Sequence, residues 1–311
     1  MKIKVGIIFG GKKDREQNIN LAIKIINSID KNKYDIVPIY IDEDKTWYTG
    51  KMLEDINIYK DMPLLKRYAT KVTLCKKNDS FFLINTKGLI RNDVKELHIA
   101  LPIQNELGNI EGYLETIGIP YIGTKQLESA ITQNKIIQNK ILESENIRVL
   151  PYTYFNKTDY EQNKEEIMKN IKKIGYPVTI TNQEKTQEYL SQTEEETNKY
   201  IELIKEQKII VEKQEETTIF CDIIGNYQKQ QIIFTEEIEE SLKKELEQTT
   251  KQIFKLLNLS GVCRIDYKLD KHKKYYVDKI NTLPKLDNIE ETKYNEIINN
   301  MINTAINEIR G

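Results

Sequence analysis

Charged side chains stand inside apolar, strand-like runs near the C-terminus of this chain. Arg264 and Asp266 lie in the run 262–269, and Asp278 and Lys279 close the run 274–280, followed by Asn281. A guanidinium can hold an anion, and a carboxylate a cation. A hard divalent cation takes anionic oxygen ligands, so the ammonium of Lys279 acts against one nearby. Asp278 is adjacent to Lys279, and the alternation of side chains along a strand directs it to the opposite face.

Three further places carry groups of this kind. Gly10-Gly11 ends an apolar run and is followed by Asp14 and Asn18, residue types that cap helices. Lys135 lies in a helical stretch, where a solvated face is its plainest position. Glu212-Lys213 closes the apolar run 208–212.

Periodicity outlines the elements that must position these groups. Residues 3–9 form a largely apolar run, as expected of a parallel strand covered on both faces. A helix over 16–29 places Ile19, Ala22, Ile23, Ile26 and Ile29 on one side, and a strand over 35–41 follows. This order is a βαβ unit and implies a parallel sheet. Strands at 98–103 and 118–123 precede a single predicted helix over 126–143, with Leu127, Ala130, Ile131, Ile137, Ile141 and Leu142 inward. Strands at 149–155, 177–181 and 208–212 then alternate with helices at 164–173 and 194–206. The last part is strand-rich, at 217–224, 229–234, 262–269 and 274–280. A helix over 239–257 interrupts it, and one over 291–309 closes it. Residues 47–91 show no regular pattern.

The chain has 311 residues, enough for two or three packed lobes. Hydrophobic content of 39% and charged content of 31% fit a globular protein. A net charge of −1 gives no general affinity for nucleic acid or an anionic membrane. Cys75, Cys221 and Cys263 lie far apart, without metal-ligand or redox spacing. Two of them sit in apolar β-like runs and read as core. The N-terminus enters a strand directly, without signal peptide or membrane span, so a cytoplasmic location is expected.

Several segments together resemble the D-alanine–D-alanine ligase family almost end to end. They are Lys4-Val5-Gly6-Ile7-Ile8-Phe9-Gly10-Gly11, Tyr34-Asp35-Ile36-Val37-Pro38-Ile39, Glu111-Gly112-Tyr113-Leu114-Glu115 and Gly118-Ile119-Pro120-Tyr121-Ile122-Gly123. Gly175-Tyr176-Pro177-Val178, Val211-Glu212-Lys213, Arg264-Ile265-Asp266 and Ile280-Asn281-Thr282-Leu283-Pro284 complete the set. The resemblance implies an α/β ATP-grasp fold. A Rossmann-like parallel-sheet lobe at 1–123 would precede two α+β lobes at 124–214 and 215–311. It also implies a dimer formed through the N-terminal lobe. The implied chemistry is phosphorylation of one D-alanine carboxylate by ATP, then attack on the acyl phosphate by a second D-alanine amine. Cations on the phosphates and two magnesium ions would assist.

Carried over by resemblance, Asp14 and Arg264 are catalytic remnants, Lys135, Glu212 and Lys213 face ATP, and Asp266 and Asn281 are metal ligands. Lys279 stands where the family has the glutamate that bridges the magnesium ions, and an ion pair between Lys279 and Asp266 is expected to replace the metal. Thr181 replaces a phosphate-binding lysine. Lys185-Thr186-Gln187-Glu188 replaces a glycine-serine phosphate loop, which would work through free backbone N–H groups. Gln104 replaces a histidine, Lys285 a glycine, and Gly225-Asn226-Tyr227-Gln228-Lys229 turns where a tyrosine lid should be. The expected protein is a catalytically inactive homologue with a binding, sensing or partner-regulating role. ATP and magnesium would bind weakly or not at all, so no cofactor is expected. A homodimer, or a heterodimer with an active ligase, is the expected assembly, with a D-alanine-type molecule or a nucleotide as possible ligand. An active ATP-dependent carboxylate–amine ligase with a remodelled site is the alternative.

Overall fold

A computed structural model describes residues 2–87, 92–103, 108–183, 187–205, 207–225, 230–284 and 289–310. The first sheet grows from the βαβ unit that the sequence predicts. Strand β1 (Ile3–Gly10) is joined by helix α1 (Arg15–Ser28) to β2 (Tyr34–Ile41), and the strands pair in parallel with Ile3 opposite Tyr34.

The segment without a legible pattern extends this sheet. β3 (Trp47–Thr49), α2 (Met62–Tyr68), β4 (Thr70–Lys77), β5 (Ser80–Asn85) and β6 (Asp93–Leu97) follow, and β7 (Ile99–Ile103) returns beside β1. The order is β6-β5-β4-β3-β2-β1-β7. The strands added from β3 to β6 are antiparallel. In β4, Val72 and Leu74 are buried while Thr73 is exposed, so one face meets the core and the other meets water. Residues 118–123 make no strand, only a parallel bridge between Ala100 and Tyr121.

Helix α3 (Asn109–Ile117) leads to α4 (Gln126–Gln133) and α5 (Lys135–Ser144). The single helix expected here breaks at Asn134, whose side chain accepts a hydrogen bond from the Ile137 N–H at 3.2 Å. The break changes the helical phase. Leu127 and Ile137, expected inward, are 63% and 42% exposed, whereas Lys135, Gln138 and Asn139 are buried.

Two antiparallel four-stranded sheets follow. β8 (Tyr152–Asn156), α6 (Lys157–Gln162), α7 (Lys164–Ile174), β9 (Val178–Asn182), β10 (Glu188–Ser191), α8 (Glu194–Leu203) and β11 (Lys208–Lys213) build the order β10-β9-β11-β8. β12 (Thr217–Gly225), β13 (Gln230–Phe234), α9 (Glu240–Leu256), β14 (Gly261–Leu269) and β15 (Tyr275–Asn281) build β13-β12-β14-β15. Leu142 and Val149 share a core with Phe254 of α9 and Tyr267 of β14. The closing helix α10 (Glu291–Arg310) returns to α1, and Asn299 donates to the Ser28 carbonyl at 3.0 Å. We propose lobes at 1–123, 124–214 and 215–311, with α5 and α10 packed across the divisions. Cys221 and Cys263 are buried, as expected, and burial pushes both thiols up to about 12.

One buried carboxyl sets a pH dependence. Glu111 on α3 is 5% exposed, and burial pushes its pKa up to about 7, against hydrogen bonds from its own backbone and from Ser129. An acid whose folded pKa is raised costs nothing when both states are protonated. The penalty grows as pH rises from its ordinary value to the folded one. Stability is therefore expected to fall between about pH 4.5 and about pH 7. Glu111→Gln should remove that slope and stabilise the protein at pH 8 by on the order of 3 kcal/mol. Urea unfolding of both proteins at pH 5 and pH 8 measures this. Parallel pH profiles would show that Glu111 does not set the slope.

Candidate functional site

The ends of β1 and β15 and the break between α4 and α5 enclose a cleft of about 260 Å³. Asp14, Lys135, Lys279 and Asn281 border it, together with Gln133 and Glu188. The glycine turn forms one wall. Gly10 has φ +104, and a Cβ there would lie 2.3 Å from the Ile41 carbonyl oxygen, so the turn requires glycine. Asn18 does not cap α1. Its side-chain amide donates to the carbonyls of Gly10 at 2.9 Å and Lys13 at 3.0 Å, and so closes the turn. Asp14 sits at the helix start in the left-handed region, φ 51, and its side chain makes no capping bond. Its carboxylate borders the cleft.

Lys135 is the centre of the site. Its side chain is 4% exposed and its ammonium meets Glu212 at 3.0 Å and the Asp278 carboxylate at 2.9 Å. It also donates to the backbone carbonyl of Asp278. Burial opposes its charge, but the two carboxylates outweigh burial and hold its pKa above the ordinary lysine value. Of the two readings of Lys135, ATP-facing or solvated on a helix face, the solvated one does not hold: the break at Asn134 turns this position inward.

The orientation of Asp278 is also corrected. Asp266 lies opposite Lys279, whereas Tyr267 lies opposite Val277, so Asp278 is the extra residue of a bulge in β15. A bulge sets two residues against one and re-aims a side chain. Asp278 consequently meets Lys135 on one side, and its charge acts on Asp266 on the other.

The expected ion pair between Lys279 and Asp266 does not form. Lys279 is exposed, and among the described residues it makes no ion pair within 4 Å. The Asp266 Oδ1 is buried without a hydrogen-bond partner. Burial and the Asp278 charge push the Asp266 pKa up to about 6, against the pull of Lys279 and Arg264. Arg264 is fixed by a two-point contact with buried Asp222, Nε to Oδ1 at 2.8 Å and Nη2 to Oδ2 at 2.9 Å. The Asn281 Oδ1 accepts from the Leu283 N–H at 2.9 Å.

These residues do not fit a pair of magnesium ions. The Asn281 oxygen is bonded to backbone, Asp278 is bonded to an ammonium, and the residue between them in the chain that faces Asp266 is an exposed lysine. Among the described residues no group of three His, Cys, Asp or Glu side chains could hold a metal.

Lys213 turns away from the cleft and donates to the carbonyls of Tyr176 at 2.8 Å and Gly175 at 3.2 Å. Thr181 is buried in β9, opposite Ile210 and Glu188. Glu188, read as part of a phosphate loop, is the first residue of β10 and places a carboxylate at the cleft. The readings at Gln104, Lys185, Thr186, Tyr227 and Lys285 lie outside the described residues.

Sequence reasoning missed Asp278, Asp222 and the role of Asn18. A signal for Asp278 was present. Val277 and Ile280 are both apolar and both buried. Their separation by three residues is incompatible with plain alternation and marks an inserted residue between them.

The architecture is that of an ATP-grasp protein. The VanG D-Ala:D-Ser ligase from Enterococcus faecalis superposes with a TM-score of 0.80 at 20% identity, over 98% of this chain and 100% of that one. The D-alanine-D-alanine ligase from Coxiella burnetii superposes with a TM-score of 0.81 at 21% identity, over 99% and 96%. In sequence, the family model for the D-ala D-ala ligase N-terminus matches residues 4–124 and that for the C-terminus residues 198–301. The D-alanine--D-alanine ligase of Thermosipho melanesiensis is 28% identical over 99% of this chain and 95% of its own. D-alanine--D-alanine ligase B of Clostridium tetani is also 28% identical, over 98% and 94%. The chain belongs to the D-alanine–D-alanine ligase family.

Lys135 offers a direct test of this geometry. Lys135→Met would leave Glu212 and Asp278 facing each other without their ammonium. Breaking a buried ion pair on one side costs on the order of 3–5 kcal/mol, and a loss of that size is expected in denaturant unfolding. A loss under about 1 kcal/mol, the value of an exposed pair, would show that water reaches Lys135.

Proposed function

We propose that this protein is a D-alanine–D-alanine ligase homologue that no longer joins amino acids and acts instead by binding. Its cleft would take a nucleotide or a D-alanine-type dipeptide, in sensing or in regulating a peptidoglycan-precursor enzyme in the cytoplasm. A homodimer, or a heterodimer with an active ligase, is the proposed assembly. Among the described residues no helix is long and apolar enough to cross a membrane.

The observation that carries this reading is the state of Lys135. Phosphoryl transfer depends on positive charge aimed at the transferring group. Lys135 keeps its charge but directs it at Glu212 and Asp278. Thr181 stands where a second cation would be needed, and Glu188 adds negative charge at the cleft. The proposed roles of the other site residues follow. Asp14 remains a carboxylate able to face a ligand ammonium, Glu212 ends the strand beside which a purine would lie, and Lys213 holds the turn behind it. Arg264 is rigidly placed for a carboxylate or oxyanion, and Asp266 and Asn281 are oxygen donors.

A second reading, an active ligase with a remodelled site, is favoured by Arg264. Its fixed orientation on Asp222 suits a developing oxyanion. One assay separates the two. With ATP, magnesium and D-alanine, phosphate release and dipeptide formation are expected to remain at background. Ordinary enzymes turn over at roughly 1–1000 per second, and D-alanyl-D-alanine formation within about a hundredfold of that range would establish the active ligase.

A further inference from the structure

We propose that Asp278 is a specificity-determining residue of this cleft, placed by the β15 bulge so that its carboxylate binds the Lys135 ammonium and disfavours polyphosphate ligands. The inference rests on the reading above in assigning a nucleotide-type ligand to this cleft. It concerns binding alone and not turnover.

Without the bulge, residue 278 would point to the far side of β15 from Lys279. With it, the Asp278 Oδ1 lies 2.9 Å from the Lys135 Nζ, and the carbonyl of the same residue accepts from that ammonium too. Glu212, at 3.0 Å, supplies a second carboxylate. One ammonium therefore answers two carboxylates. Taken together, these three side chains carry a charge of −1 rather than the +1 of a lone lysine, and a phosphate entering beside Lys135 would meet that group. Asp278 and Glu212 act on the cleft through Lys135, and among the described residues the charged side chains that border it besides Lys135, namely Lys13, Lys279, Asp14 and Glu188, cancel. An uncharged or zwitterionic ligand is not penalised in this way. Discrimination between such ligands and a triphosphate can thus be built from a repulsive element alone.

The test is Asp278→Asn. The amide keeps the shape of the side chain, and Lys135 keeps Glu212 and the carbonyl of residue 278, so the fold is expected to survive. Titration calorimetry with ATP and with adenosine, each in EDTA and in magnesium, reads the effect. Removing one negative charge close to the phosphates is expected to tighten ATP binding in EDTA roughly tenfold, with adenosine unchanged. Asp278→Ser, which also lacks the charge, should behave alike and serves if the asparagine protein is unstable. Equal ATP affinity before and after substitution, including no binding by any protein, would overturn the proposal. So would an equal gain for adenosine. A loss of ATP affinity seen in magnesium but not in EDTA would overturn it too, by making Asp278 a metal ligand. Dipeptide formation by the unsubstituted protein would remove the reading of an inactive homologue and leave these binding outcomes unaffected.

Discussion

A buried ammonium organises this site. Moving a charged group out of water costs several kcal/mol, and the loss is recovered only when opposite charges and hydrogen bonds meet it in good geometry. Lys135 meets that condition with groups from two other elements, Glu212 on β11 and Asp278 on β15. Each of these strands belongs to a different sheet. The charge of one residue on α5 therefore fixes how the two later sheets stand at the cleft. It also fixes what the cleft offers, because the same contacts that stabilise the ammonium use up its field.

The neighbouring charges follow from this arrangement. Across β12, β14 and β15, Asp222 faces Arg264 and Asp266 faces Lys279 in register. The first pair closes with two short hydrogen bonds because the planar guanidinium matches a carboxylate. The second pair stays open. A lysine ammonium is strongly hydrated and sits on a flexible stem, so Lys279 gains more from solvent than from a carboxylate whose pKa is already pushed up to about 6. Lys135 is thus the cation that pairs with Asp278, reached through the bulge, while Lys279 and Arg264 act on Asp266 only through their charge.

The legible part of the chain was the part governed by repetition. Buried strands such as Ile3–Gly10 and amphipathic helices such as Glu240–Leu256 declare themselves through spacing. The segments resembling the ligase family led to the right fold because they shape turns and cores. The missed features are departures from repetition. Among the antiparallel strands β3 to β6, β3 has three residues and β6 is mostly exposed, so the pattern of the segment is weak at both ends. The helix break at Asn134 and the bulge at Asp278 each shift the phase of a pattern by a fraction of a turn or by one residue. Those two shifts moved Lys135 and Asp278 into the site, and so the site was read less well than the fold. Gly10 and Asn18 show the same division: the glycine was legible as a turn, but the partner that closes it was not.

Strand β14 separates the residues that pack from those that carry charge. Cys263, Ile265 and Tyr267 point into the core and are fully buried, while Arg264, Asp266 and Lys268 alternate with them on the other face. Because side chains switch faces at every residue, substitutions on one face leave the packing of the other intact. The core face keeps the sheet, and the sheet keeps the register that makes the chain recognisable. The other face carries the charges, and the bulge residue of the adjacent strand aims one more of them at Lys135. The packing of this sheet depends on Cys263, Ile265 and Tyr267, whereas chemistry depends on where Asp266, Asp278 and Lys135 direct their charge. Since fold and site vary independently in this way, membership of a ligase family does not by itself carry ligase activity.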